Sequence, residues 1–256
     1  MRISVCMATY NGERFIKDQI SSILNQKFDE ENEIELELVI SDDGSTDSTV
    51  NIINEINDDR IKLYHHKNKR AHKYFNSAFA CTENFNYAVS KATGDYIFLS
   101  DQDDVWYEWK LQTSLTALWG GEFDVVGTAF DIGDKALNKI GEVIYKKQRL
   151  FSIRYKHSLY GFSCGFHKDA LSYLLPFPDV PQHDTFIMLS AQIRNRIGYI
   201  DKRCAIHRWS GVHNVSNATN NDVPKYVKLY YRTKMWFVVL WRYALGGSGE
   251  RSMNRQ

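Results

Sequence analysis

No apolar run in this 256-residue chain approaches the ~20 residues that a membrane-spanning helix needs. The longest strongly apolar run is Met235 to Trp241. The opening run Ile3-Ser4-Val5-Cys6-Met7 turns polar at Asn11-Gly12, too soon for a secretory h-region, so a cytoplasmic protein is expected. Only four cysteines occur, at Cys6, Cys81, Cys164 and Cys204, and no two form a CxxC pair. That spacing argues against a disulfide framework or a thiolate zinc site and suits a reducing compartment. There is no excess of charge: the net value is +1, so no global field draws the chain to nucleic acid. No GxGxxG follows the first apolar run, which argues against a nicotinamide dinucleotide fold. Internal repeats and low-complexity linkers are also missing.

What is present is an alternation of strand and helix patterns. Residues 3–9 read as a buried strand, and Asn11-Gly12 as a turn. Ile16, Ile20, Ile23 and Leu24 recur at helical spacing. Ile34, Leu36 and Leu38 alternate with Glu33, Glu35 and Glu37 and run into Val39-Ile40, which is strand period. Asp42-Asp43-Gly44-Ser45 breaks that strand before a helix carrying Val50, Ile53 and Ile56. Ile61–His65 is a third strand, and His66–Lys73 a basic loop. Phe85, Ala88 and Val89 mark a helix that Gly94 ends, and Asp95–Ser100 is a fourth strand. Asp124–Phe130 is a further strand, 131–160 a variable connection, and Phe186–Ile193 an apolar helix. This order predicts an α/β fold with a Rossmann-like, mainly parallel sheet and helices on both faces. Such sheets bind ligands beyond the carboxyl ends of their strands. Thr9-Tyr10-Asn11, Asp42-Asp43 and Asp101-Gln102-Asp103 all fall at that edge.

Adjacent carboxylates at a strand end repel one another unless they hold a cation or stay solvated. Oxygen-only ligands suit Mg²⁺ or Mn²⁺, with substrate phosphates completing the shell. The competing reading is a solvated, Asp-rich loop. Asp42 and Asp43 can accept from a pyrimidine N–H or ribose hydroxyls, or can simply turn the chain and cap the next helix. Trp106, Trp109 and Trp119 read as packing residues rather than sugar platforms.

Ile3–Gly12, Ser41-Asp42-Asp43-Gly44-Ser45-Thr46-Asp47, Gly94-Asp95-Tyr96 and Ser100-Asp101-Gln102-Asp103-Asp104-Val105-Trp106 together resemble the family 2 inverting glycosyltransferases of the GT-A fold. The last motif resembles the bacterial rhamnosyltransferase-like branch, whose members build O-antigen and capsule. The similarity covers roughly residues 1–215. It implies a nucleotide-sugar-binding half at 1–120, an acceptor-binding and catalytic-base half at 121–220, and a C-terminal helix and flexible tail at 221–256. It implies that Ala8, Thr9, Tyr10 and Asn11 line the nucleotide pocket and that Asp42 reads the base. Asn84, Asp101 and Gln102 would contact the donor, and Asp103 would hold the metal. Asp184 would be the catalytic base; Gly165, His183, His207 and Arg208 would lie on the acceptor or donor-sugar side. Gly211–Ser216 resembles the family's closing segment. The implied donor is a UDP- or dTDP-sugar, and the acceptor a saccharide or lipid-linked saccharide. Two departures stand out. His66–Ala80, including Arg70, replaces a shorter turn, and His183 stands where many relatives carry an acid.

The segment Lys225–Leu245 carries five cations, Lys225, Lys228, Arg232, Lys234 and Arg242, and no acid. Such a basic aromatic helix can lie in a membrane interface, pack on its own domain or join a second subunit in a homodimer. Two rival functions are weaker. A nucleotidyltransferase needs an early Gly-rich, Arg-containing loop that residues 6–16 lack. A non-catalytic sugar-binding module would not need both Asp103 and Asp184.

Overall fold

A computed structural model describes residues 1–29, 33–67, 72–145, 159–209 and 223–246. The first apolar run forms β1 (Arg2–Thr9), and the amphipathic stripe after it forms α1 (Ile16–Leu24) with Ile16, Ile20 and Ile23 fully buried. β2 (Glu35–Asp42), α2 (Thr49–Glu55) and β3 (Ile61–His65) follow. The helix expected around Phe85 is α3 (Asn76–Lys91), and it delivers β4 (Tyr96–Ser100). These units give the parallel order β3-β2-β1-β4, with Thr9 opposite Asp42. The carboxyl ends of the strands therefore come to one edge, as the motif positions required.

The second half extends the same sheet. It contains β5 (Val105–Trp106), α4 (Lys110–Trp119), β6 (Val125–Gly133), β7 (Lys139–Val143) and β8 (Cys164–His167). α5 (Leu171–Leu174), α6 (His183–Ile193), β9 (Ile197–Arg208) and α7 (Lys225–Leu245) complete the described elements. β8 runs antiparallel between β4 and β6, β6 and β9 are parallel, and β5 and β7 pair antiparallel at the margins. Six strands thus share one direction, which is the expected mainly parallel α/β sheet. Trp106 packs at 3% exposure as expected, but Trp109 and Trp119 lie at the surface.

Glu37 departs from its strand pattern. Alternation places it with solvent-facing Glu35, yet it is buried. Its carboxylate accepts from Ser4 Oγ at 2.5 Å, Thr93 N at 2.7 Å, Thr93 Oγ1 at 2.9 Å and Lys62 Nζ at 2.6 Å. Burial alone would raise its pKa, but these four donors outweigh it and hold the group down to about 2. Glu37→Ala should therefore cost about 2–3 kcal/mol of stability at neutral pH, the worth of a charged hydrogen-bond set. Because the folded pKa is depressed, this contribution is present above the ordinary carboxyl pKa of 4.5 and fades as pH falls toward 2. Urea titrations of both proteins at pH 7 and pH 3 should show the gap narrowing in acid; a constant gap would remove the linkage.

Candidate active site

The β1 end is locked to the β4 end by one side chain. Gln102 Oε1 accepts from Thr9 Oγ1 at 2.5 Å and Tyr10 N at 2.9 Å, and Gln102 Nε2 donates to Tyr10 O at 3.0 Å. Asn84, buried on α3, donates to Thr9 O at 3.2 Å and accepts from Ser41 Oγ. Asn11, at φ 50°, accepts Thr46 N at 2.8 Å, and its own N–H donates to Ser45 Oγ at 2.9 Å. Thr9, Asn11, Asn84 and Gln102 therefore build the floor of the crevice by holding three strand ends together. The Thr9 hydroxyl and the side-chain amides of Asn84 and Gln102 are engaged by protein partners. Ala8 is partly buried beside them, and the Tyr10 ring stands 54% exposed at the mouth.

Asp42 also belongs to the frame. It is 1% exposed and accepts from Gly44 N at 3.1 Å and from Ser45 N and Oγ. Asp42 thus holds the turn that follows β2. Asp43 is partly exposed, and its N–H donates to Thr9 O at 3.0 Å. Its charge, with those of Asp101, Asp184 and Asp103, acts on the Cys81 thiol of α3, whose pKa burial and these acids push up. Four carboxylates from three chain segments thus act on one residue of α3.

Asp101 and Asp103 are strongly perturbed. Burial, followed by Asp104 and Asp103, raises Asp101 well above the carboxyl range. Burial and Asp104 bring Asp103 to about 6. Asp104 is fully buried; one oxygen accepts from His207 Nδ1 at 2.6 Å and Arg208 N at 3.2 Å, and the other has no partner. Burial opposes protonation of His207, yet Asp104, Asp101 and Asp103 carry its pKa to about 9, so it is cationic at pH 7. The ring stacks on Phe162 at 5.1 Å. Arg208 donates to Asp103 O, Lys135 O and Asp18 Oδ2 and is 4% exposed. It braces the Asp103 loop against β9.

Asp184 sits in the first turn of α6, where Thr185 N donates to it at 2.6 Å. Gln182, not Asp184, occupies the N-cap, and its carbonyl accepts Phe186 N at 3.1 Å. Burial raises Asp184 to about 6. His183 turns the other way: it is 8% exposed, lies between Phe85 and Phe177, and burial lowers it to about 4. It is a neutral, largely buried histidine. Gly165 has a packing reason as well, since a Cβ there would meet Phe98 Cε1 at 2.2 Å. Tyr160 was missed by sequence reasoning. Its ring is 37% exposed, 5.1 Å from Phe130, and its hydroxyl feels Asp184. Arg70 and Gly211–Ser216 lie outside the described residues.

The donor set suits a hard divalent cation. Buried carboxylates repel one another, and Asp104 keeps an unpartnered oxygen. Among the described residues no three Asp, Glu, His or Cys side chains form a ready cage. Mg²⁺ does not need one, because it takes one or two protein carboxylates and fills its shell with phosphate and water.

Comparison with known proteins agrees with this geometry. Residues 4–174 match the family model described as Glycosyl transferase family 2. A dTDP-rhamnosyl transferase of Shigella flexneri is 28% identical over 250 residues, covering 90% of this chain and 80% of that protein. An Escherichia coli UDP-Glc:alpha-D-GlcNAc-diphosphoundecaprenol beta-1,3-glucosyltransferase is 27% identical over 203 residues, covering 78% and 73%. The crystal structure of S. aureus TarS 1-349 in complex with UDP-GlcNAc aligns with a TM-score of 0.65 at 19% identity, over 96% of this chain and 75% of that one. The fold is GT-A, and the chain belongs to glycosyl transferase family 2.

Proposed function

We propose that this glycosyltransferase moves a sugar from a UDP- or dTDP-sugar to a saccharide hydroxyl, with inversion, and depends on Mg²⁺ or Mn²⁺. The acceptor class is a lipid-linked saccharide of bacterial surface polysaccharide synthesis; the diphosphoundecaprenol acceptor in the name of the Escherichia coli relative supports the lipid link by analogy. The observation that carries the reading is the separation of acids: Asp43, Asp101 and Asp103 follow strand ends, while Asp184 approaches from α6. Tyr10 stacks on the base and Asp43 accepts its N–H. Asp103, with Asp101, would hold the cation, which would supply positive charge to the leaving diphosphate. His207, oriented by Asp104, adds a protein-borne positive charge beside them. The acceptor lies on Tyr160, and its hydroxyl oxygen attacks the anomeric carbon as the bond to the diphosphate oxygen breaks. The hydroxyl proton goes to Asp184, and the electron pair leaves with the diphosphate. No covalent enzyme intermediate forms.

Thermal shift with UDP-, dTDP- and GDP-sugars in Mn²⁺, followed by product analysis with the stabilising donor, tests the reading. Stabilisation by one nucleotide class and a product of inverted configuration are expected; retained configuration would overturn the mechanism. The two neighbouring acids give a sharper check. Asp43→Ala should weaken nucleoside diphosphate binding by ~1.5–3 kcal/mol, with little change in fold stability. Asp42→Ala should instead lower the melting temperature by loosening the Gly44–Ser45 turn. The reverse pattern in calorimetry and thermal melts would return the base to Asp42.

A further inference from the structure

α7 has two unlike faces. The inner face buries Val227, Met235 and Val239 and touches α6. Two of its cations are pinned there: Lys234 Nζ donates to Asp179 O at 2.6 Å, and Arg242 donates to Leu174 O at 2.9 Å and Pro176 O at 2.6 Å. The outer face carries Tyr226, Leu229, Tyr230, Phe237, Leu240 and Trp241, each between 43% and 71% exposed. Their spacing of three and four residues keeps them on one stripe along the helix. Exposed Lys225 and Arg232 border the stripe, and the helix holds no acid. A chain that only needed to pack this helix on its own domain would not place its largest apolar side chains in water.

We propose that the outer stripe of α7 docks flat on an anionic lipid surface. The stripe would sink its apolar rings into the acyl boundary, with Lys225 and Arg232 meeting phosphate headgroups. Tyrosine and tryptophan suit that depth, because each joins an apolar ring to a polar tip. Charge decides against a second copy of the chain as occupant. Two such stripes face to face would bring cations together, with no acid on either helix to answer them. No helix among the described residues is long and apolar enough to cross a bilayer, so the contact is peripheral. The docking surface stands on α7 alone and does not depend on which sugar the site transfers.

The test uses the full chain. Co-sedimentation is measured with vesicles of phosphatidylglycerol and phosphatidylcholine, with pure phosphatidylcholine vesicles as control, at low and high salt. Binding at least tenfold stronger to the anionic vesicles, weakened by salt, is expected. Phe237→Ser with Trp241→Ser should lose at least tenfold, and Lys225→Gln with Arg232→Gln should lose severalfold while keeping the apolar stripe intact. Light scattering of the wild type should give a monomer across concentrations. Equal binding to both vesicle types, or unchanged binding in the Lys225→Gln, Arg232→Gln variant, would overturn the proposal. So would a dimer that the Phe237→Ser, Trp241→Ser variant dissociates, which would assign the stripe to a second copy.

Discussion

Asp184→Asn should fold, bind the nucleotide-sugar and lose turnover by roughly 10²-fold or more, the usual contribution of a positioned base. A sugar hydroxyl is a poor nucleophile at neutral pH, so its proton must leave as the new bond forms. Asp103 is expected to face the cation and Asp43 the base, which leaves Asp184 to accept it. Its pKa near 6 is a compromise: mostly ionised at pH 7, yet more basic than an ordinary carboxylate. Since a base acts in its ionised form, kcat should rise with pH through about 6 and level above it. The competing role, capping α6, is weakened because Gln182 occupies the N-cap. Asn preserves shape and can still accept Thr185 N, so a merely structural Asp184 would leave kcat near wild type. Single-turnover measurement with an acceptor separates the two roles, and unchanged kcat and pH profile would reject Asp184 as the base.

The first half of the fold was legible because each element has one clear period. Ile16, Ile20 and Ile23 mark α1, and Ile3–Met7, polar only at Ser4, is buried on both faces, as a central parallel strand should be. The margins of the sheet were not. β5 has two residues, β8 has four with a glycine among them, and β7 reads Lys-Ile-Gly-Glu-Val with little burial. β9 passes through exposed Asp201-Lys202-Arg203, so its pattern breaks in mid-strand. Such strands are held by neighbours far along the chain, and a local period cannot report that. The site divides similarly. Strand order brought Asp42-Asp43 and Asp101-Gln102-Asp103 to one edge and the family resemblance added Asp184; the shared effect of Asp43, Asp101, Asp103 and Asp184 on Cys81 is consistent with that. Sequence could not say which of Asp42 and Asp43 turns inward, because both sit at a strand end and only the Ser45 amide and hydroxyl choose between them. Nor could it show that Asn84, Gln102 and Arg208 brace the backbone, since a polar side chain beside a motif reads alike whether it meets ligand or protein. Tyr160 gave no signal beyond being one tyrosine among fifteen.

Asp103→Asn should abolish metal-dependent donor binding yet leave the metal-free protein at least as stable as the wild type. The two effects have one origin. Burial and Asp104 raise the Asp103 pKa to about 6 from an ordinary 3.8, so ionisation at pH 7 disfavours the folded state. A folded pKa above the unfolded one means this group is harmless below about 4, increasingly unfavourable as pH rises from about 4 to about 6, and constant in its cost above that. His207 and Arg208 relieve part of the repulsion, but Asp104 already takes the His207 Nδ1 proton and the Arg208 amide. A divalent cation would relieve the rest, and a nucleotide diphosphate would bring oxygens to complete its shell. Removing the Asp103 charge therefore removes both the strain and the reason for the cation to bind. In wild type, UDP or dTDP with Mn²⁺ should raise the melting temperature and chelator should cancel the rise, because ligands that bind only the folded state stabilise it by mass action. In Asp103→Asn the nucleotide-induced rise should vanish with or without Mn²⁺, and turnover should fall by ~10²-fold or more, the order seen when one group stabilising developing charge is lost. The metal-free melting temperature at pH 7 should match or exceed wild type, with the difference shrinking toward pH 4. A variant less stable than wild type without metal, yet still binding donor in chelator, would show that Asp103 is a structural carboxylate and that the cation site lies elsewhere.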